Sequence, residues 1–247
     1  MLREFLVNLK KDTEYLNFGR DTVVSWAGNN LKNKSGTARV LDIGVGSGTD
    51  IMNIKNILPD KNPELFGIEC YKPSAEAARL KGITVFEINI EREKIPAPDS
   101  YYDVIVCNQI IEHTKEIFWI FSEIHRVLKN EGIAIIGVPN MAAMHNRFAL
   151  LFGQQPTCIE ILGPHVRGFT RPAFERFVTC DDYYRILDFT GSNIYPFPPA
   201  ISKPLSRLFP TYSVGIFFLL QKTDKEGRFI DILKTHFFET PYYAGID

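Results

Sequence analysis

Cysteine is scarce in this chain of 247 residues: four, at positions 70, 107, 158 and 180, with no C-x-x-C pair. Such isolated thiols do not read as a disulfide framework or a zinc motif; they read as the reduced thiols of a cytoplasmic protein. Neither sign of charge dominates, with 28 Lys plus Arg against 29 Asp plus Glu. That balance gives no reason to expect nucleic acid as a partner. Long apolar runs are missing too: Val214 to Leu220, the longest near the end, is far too short to span a bilayer. Met1 to Lys11 mixes an acid and bases among its apolar residues and does not read as a secretory signal. There is no internal repeat and no low-complexity segment. What is present is ordinary for a globular α/β chain: 45% apolar and 23% charged residues, over a length that can bury a substantial core.

One stretch organises the rest. Val40-Leu41-Asp42-Ile43-Gly44-Val45-Gly46-Ser47-Gly48 reads as a buried strand running into a tight glycine turn. Thr49 to Leu58 follows as a helix with Ile51, Ile54 and Leu58 on one face, and Pro59 ends it. Glycines there let backbone N–H groups approach a ligand closely. The dinucleotide fingerprint G-x-G-x-x-G fails in both registers, because Thr49 or Ile51 stands where its third glycine belongs. The pattern D-x-G-x-G-x-G instead resembles the class I S-adenosylmethionine-dependent methyltransferases.

The remaining elements alternate. Leu65 to Glu69 reads as a second strand, followed by a helix from Ser74 to Lys81. Ile83 to Ile90 reads as a third strand and Tyr102 to Cys107 as a fourth. A helix with Ile117, Phe121, Ile124 and Leu128 on one face leads to a fifth strand, Gly132 to Pro139. Strands alternating with helices predict a doubly wound, mostly parallel sheet, whose ligands bind outside the carboxyl ends of the strands. Tyr184 to Thr190 and Ser213 to Gln221 complete seven strands; by the resemblance, the last lies antiparallel between the fifth and sixth. The resemblance covers residues 36–223. Residues 1–35 read as helical cover, 141–179 as a lid inserted after the fifth strand, and 224–247 as a C-terminal extension. Phe229, Ile230, Ile232, Leu233, Phe237 and Phe238 make that extension too apolar for solvent, so it packs back or forms an oligomer contact.

The resemblance also implies site residues. Asp42, Gly44, Val45, Gly46 and Gly48 would hold S-adenosylmethionine, with Glu69, at the tip of the second strand, accepting hydrogen bonds from both ribose hydroxyls and Cys70 beside it. Asn89 stands where the family commonly has Asp, reading the adenine amino group next to the backbone of Ile90; Asn108 ends the fourth strand. Arg20 reads as a solvated arginine, with the cofactor's carboxylate as the alternative. Glu112-His113 matches the Glu-His loop of a large subgroup acting on small molecules, including quinone precursors, saccharides and lipids. Some quinone-ring members carry a further acid associated with a metal; Gln109 occupies that position here, so no metal is expected. The acceptor would be a small molecule, with Gln109, Asn140, Arg147 and Arg167 as its recognition residues. A hydroxyl acceptor needs a base, for which His165, His145 and His113 are candidates in that order. A binding module without catalysis is the alternative.

Overall fold

The computed structural model describes residue 17 and residues 19–236. Phe5, Leu6 and Leu9 of the expected N-terminal cover, and Phe237 and Phe238 of the extension, lie outside them.

Seven strands form one sheet in the order β3-β2-β1-β4-β5-β7-β6. They are β1 (Arg39–Ile43), β2 (Glu64–Ile68), β3 (Thr84–Phe86), β4 (Tyr102–Asn108), β5 (Leu128–Pro139), β6 (Tyr184–Ser192) and β7 (Gly215–Lys222). β1 to β5 run parallel, and β7 is antiparallel to both β5 and β6. Among the described residues the helices are α1 (Arg20–Leu31), α2 (Thr49–Asn56), α3 (Lys72–Arg79), α4 (Ile117–Val127), α5 (Met144–Leu151), α6 (Arg171–Val178), α7 (Pro199–Leu208) and α8 (Ile232–Thr235). None of them is long and apolar enough to cross a membrane.

The period-two alternation of the strands divides the core between the two faces of the sheet. Val40, Val104, Val106, Ile133, Ile135, Phe217 and Leu219 pack with Val23, Ala27 and Leu31 of α1 and Ile51 and Ile54 of α2. Leu41, Ile43, Ile105, Cys107, Ala134, Ile136, Phe218 and Leu220 face the other way, onto α4 and onto Phe174 and Val178 of α6. Phe229, Ile230 and Ile232 of the C-terminal extension are buried in this second layer. Of the two fates open to the extension, packing back on the domain is the one these residues take.

Two strand boundaries move by four residues. β3 stops at Phe86 because the backbone ahead turns: Arg92 N–H and Glu93 N–H both donate to Asn89 O, and Glu91 N–H donates to Asn89 Oδ1. β5 starts at Leu128, which pairs with Tyr102, before a β-bulge restores register at Val104 and Ile133. The 141–179 segment contains α5, an irregular stretch and α6. It is tied to the end of β5 by a bridge between Asn140 and Phe169.

Candidate functional site at the carboxyl edge of the sheet

Gly44, Gly46 and Gly48 all take left-handed φ values, of 75, 52 and 85°. A Cβ on Gly44 would meet Ile110 Cδ1 at 2.0 Å, whereas one on Gly46 would meet no heavy atom within 4 Å. Glycine is therefore required at 44 by conformation and packing together, and at 46 by conformation alone. Glu69 closes the turn from β2: Gly46 N–H donates to its Oε2 at 3.0 Å and Tyr71 N–H to its Oε1 at 2.8 Å. Each carboxylate oxygen retains a second lone pair for a ligand hydroxyl.

Beside the turn lies a cavity of about 290 Å³, lined by Arg20, Asp42, Gly44 to Ser47, Thr49, Asp50 and Asn108 to Ile110. Arg20 Nε donates to Asp50 Oδ1 at 2.7 Å, and Asn108 Nδ2 donates to Asp50 Oδ2 at 3.0 Å. Burial, then the charges of Asp50 and Glu69, hold the Asp42 carboxyl well above the usual carboxylate range, with Arg20 opposing. Asp42 and Asp50 make an acidic wall, with Arg20 the one basic residue of the lining. Gln109, also on the cavity, has φ 60° and donates its N–H to Gly137 O.

A second group forms where the insertion meets the 3₁₀ turn Ile111–His113. Val166 N–H donates to Glu112 O at 2.8 Å, and Arg167 Nε donates to Thr114 O at 3.3 Å. This brings His165 onto His113, with ring centroids 4.6 Å apart. His165 Nδ1 is 2.7 Å from Cys158 O, and His113 Nδ1 is 3.3 Å from Pro164 O. A carbonyl can only accept, so both rings carry a proton on Nδ1 and, in the neutral form, present a lone pair at Nε2. Burial lowers the His113 pKa, favouring that neutral form. Glu112, only 1% exposed, has no hydrogen-bond partner for either carboxylate oxygen, its Oε1 standing 3.9 Å from His113 Nε2, and burial pushes its pKa up to about 8.

A family model described as "Methyltransferase domain" matches residues 41–136, from β1 through most of β5. Over that segment the chain matches the methyltransferase family. Solved structures agree on the fold. A methyltransferase from Archaeoglobus fulgidus superposes with a TM-score of 0.56 at 15% identity, over 82% of this chain and 94% of that one. The plantazolicin methyltransferase BpumL, solved with a triazolic desmethylPZN analogue and S-adenosylhomocysteine, gives 0.58 at 19%, over 90% of each chain. The [4+2]-cyclase SpnF gives 0.56 at 16%, over 82% and 81%. No curated protein matches the sequence. The cofactor that goes with the methyltransferase domain is S-adenosylmethionine. The acidic wall suits it, since a sulfonium and an ammonium outweigh its one carboxylate.

At this edge of the sheet the expected residues separate. Asp42, Gly44, Val45, Gly46, Asn108 and Gln109 line the cavity, and Gly48 and Glu69 shape its turn. Exposed Cys70 follows Glu69, while Asn89 and Ile90 stand on the turn after β3, outside that lining. Arg20 needs correction: it lines the cavity, paired with Asp50, instead of being solvated. Asn140 is committed to structure, because its Nδ2 donates to Thr211 O and Ser213 O and its Oδ1 accepts from Ala142 N–H. Arg147 donates to Ala142 O and lies over Tyr212, and Arg167 clamps the insertion to the Glu-His turn. His145 bonds Thr157 Oγ1 and packs on Tyr195, apart from the histidine pair. Glu112, His113 and His165 bring ligating atoms within 4.8 Å of one another. Gln109 therefore does not decide whether a metal binds, since the third group comes from the insertion. Asp50 and Ile110 gave no sequence signal beyond their nearness to the two motifs.

Proposed function

We propose that this domain transfers the methyl group of S-adenosylmethionine to a hydroxyl of a small-molecule acceptor, of saccharide, lipid-linked or quinone type. The carrying observation is the pair of histidines at the insertion, each locked as the Nδ1–H tautomer by a backbone carbonyl and each keeping an Nε2 lone pair.

The cofactor supplies a methyl carbon on a sulfonium that leaves as a neutral thioether. The chain supplies position and charge. The glycine turn and Glu69 hold the nucleoside, and Asp42 and Asp50 balance the cations. Holding reactants in line can account for roughly 7–11 kcal/mol of barrier. With the cofactor bound to supply the methyl group, His165 Nε2 would take the proton of the acceptor hydroxyl, with His113 beside it. The insertion also exposes Phe148, Leu151, Phe152, Ile161 and Leu162, which favours an acceptor with an apolar portion.

His165→Ala should lower turnover by about 10²–10⁴-fold while calorimetric affinity for S-adenosylmethionine stays near that of the unaltered chain. Lost cofactor affinity instead would remove His165 from the role of base. Turnover abolished by a chelator and restored by a divalent cation would make His113 and His165 metal ligands. Cofactor binding without transfer to any hydroxyl acceptor would favour the binding module.

A further inference from the structure

A cluster of three different side chains lies away from the cofactor edge, where the C-terminal extension meets the turn between α6 and β6. Cys180 and Asp181 belong to the 3₁₀ turn Cys180–Asp182, and His236 follows α8. Cys180 Sγ is 3.7 Å from His236 Nε2, which is 2.7 Å from Asp181 Oδ1. All three ligating atoms lie within 4.8 Å of one another.

The spacing has a chemical meaning. A thiolate at ~2.3 Å and an imidazole at ~2.05 Å from one tetrahedral zinc ion stand roughly 3.6 Å apart. The Cys180–His236 pair is already near that separation. The Asp181–His236 contact, now a direct bond, would open to roughly 3.3 Å with an ion between them. Asp181 and Asp182 take successive left-handed φ values of 53 and 60°, an uncommon pairing without glycine that presents the carboxylate to the histidine. A thiol, an imidazole and a carboxylate suit zinc, with water as fourth ligand; calcium and magnesium would call for oxygen ligands throughout.

We propose that Cys180, Asp181 and His236 bind a zinc ion that fastens the C-terminal extension to the α6–β6 turn. Binding exchanges the thiol proton for the metal and releases it to solvent. No step depends on the methyltransferase reading.

The test uses the full chain, stripped with a chelator and titrated with Co²⁺ as a spectroscopic probe. One equivalent should produce thiolate-to-cobalt charge-transfer absorption, bleached by Zn²⁺. Cys180→Ser should lose the band and Cys158→Ser should keep it, while His236→Ala weakens binding by at least ~10-fold, the lower bound for losing even an outer-sphere partner. In the unaltered chain, peptide-mapped alkylation should show Zn²⁺ protecting Cys180 and leaving exposed Cys70 reactive. Absence of the band, its survival in Cys180→Ser, or alkylation of Cys180 unchanged by Zn²⁺ would each overturn the proposal.

Discussion

At the scale of single residues, Asp42 sets up a measurable coupling. Its carboxyl holds a proton unusually tightly because it is buried beside Asp50 and Glu69. A sulfonium placed in the same cavity favours the ionised form, so binding should expel that proton at pH values below the raised pKa. S-adenosylmethionine affinity should therefore rise with pH, and more steeply than S-adenosylhomocysteine affinity, since the thioether carries no charge. Calorimetry in two buffers of different ionisation enthalpy would read the proton directly. Asp42→Asn should abolish it, and equal release for both ligands would dissociate it from the sulfonium. The glycine turn was legible in the sequence because its residues form a contiguous pattern with one physical purpose, and Glu69 because it follows a readable strand. The Arg20–Asp50 pair was not, since 30 residues separate its members and neither belongs to a motif. Asn140 misled for the opposite reason: a polar residue at a strand tip looks like a ligand contact until its three backbone partners are seen.

At the scale of elements, the extension is held by aromatic packing. Phe229 is fully buried against Phe118, Phe121, Phe177, Tyr183 and Tyr184, joining α4, α6 and β6. Phe229→Ala should cost about 3–5 kcal/mol, measured as a lower urea midpoint at unchanged slope. A loss below about 1 kcal/mol would mean that the site collapses around the truncation. The apolar residues of the extension announced burial; nothing in their spacing named α4 as the partner, because tertiary docking leaves no local period. The short β3 has a similar lesson. β-branched residues at Ile83, Val85, Ile88 and Ile90 suggested eight strand residues, and side-chain capping by Asn89 ended the ladder earlier.

At the scale of the whole molecule, two buried groups should shape the pH dependence of stability. Glu112 has a folded pKa of about 8 against an ordinary 4.5, so folding binds its proton more tightly than the unfolded chain does. Its contribution is full below pH 4.5 and is lost as pH rises towards 8. His125, lowered to about 4 from 6.5 by burial, contributes fully above pH 6.5 and loses its share as pH falls towards 4. Glu112→Gln should remove the alkaline loss, on the order of a few kcal/mol, and leave the acidic limb in place. Denaturant unfolding at pH 5, 6.5 and 8 would test it, and parallel curves for both proteins would sink the assignment. Strand alternation made the parallel half of the sheet legible from periodicity; the antiparallel seventh strand came only through resemblance, since alternation carries no direction.

That seventh strand has a consequence for synthesis on the ribosome. β6 touches the rest of the sheet only through β7, which is translated after it, so β6 must wait beside an unfilled slot until Gly215–Lys222 has emerged. During that interval the edge of β5 offers free backbone groups to any passing strand. Nascent chains stalled between β6 and β7 should therefore depend most on chaperones, and release from them should coincide with the arrival of Phe217 and Phe218 at the tunnel mouth.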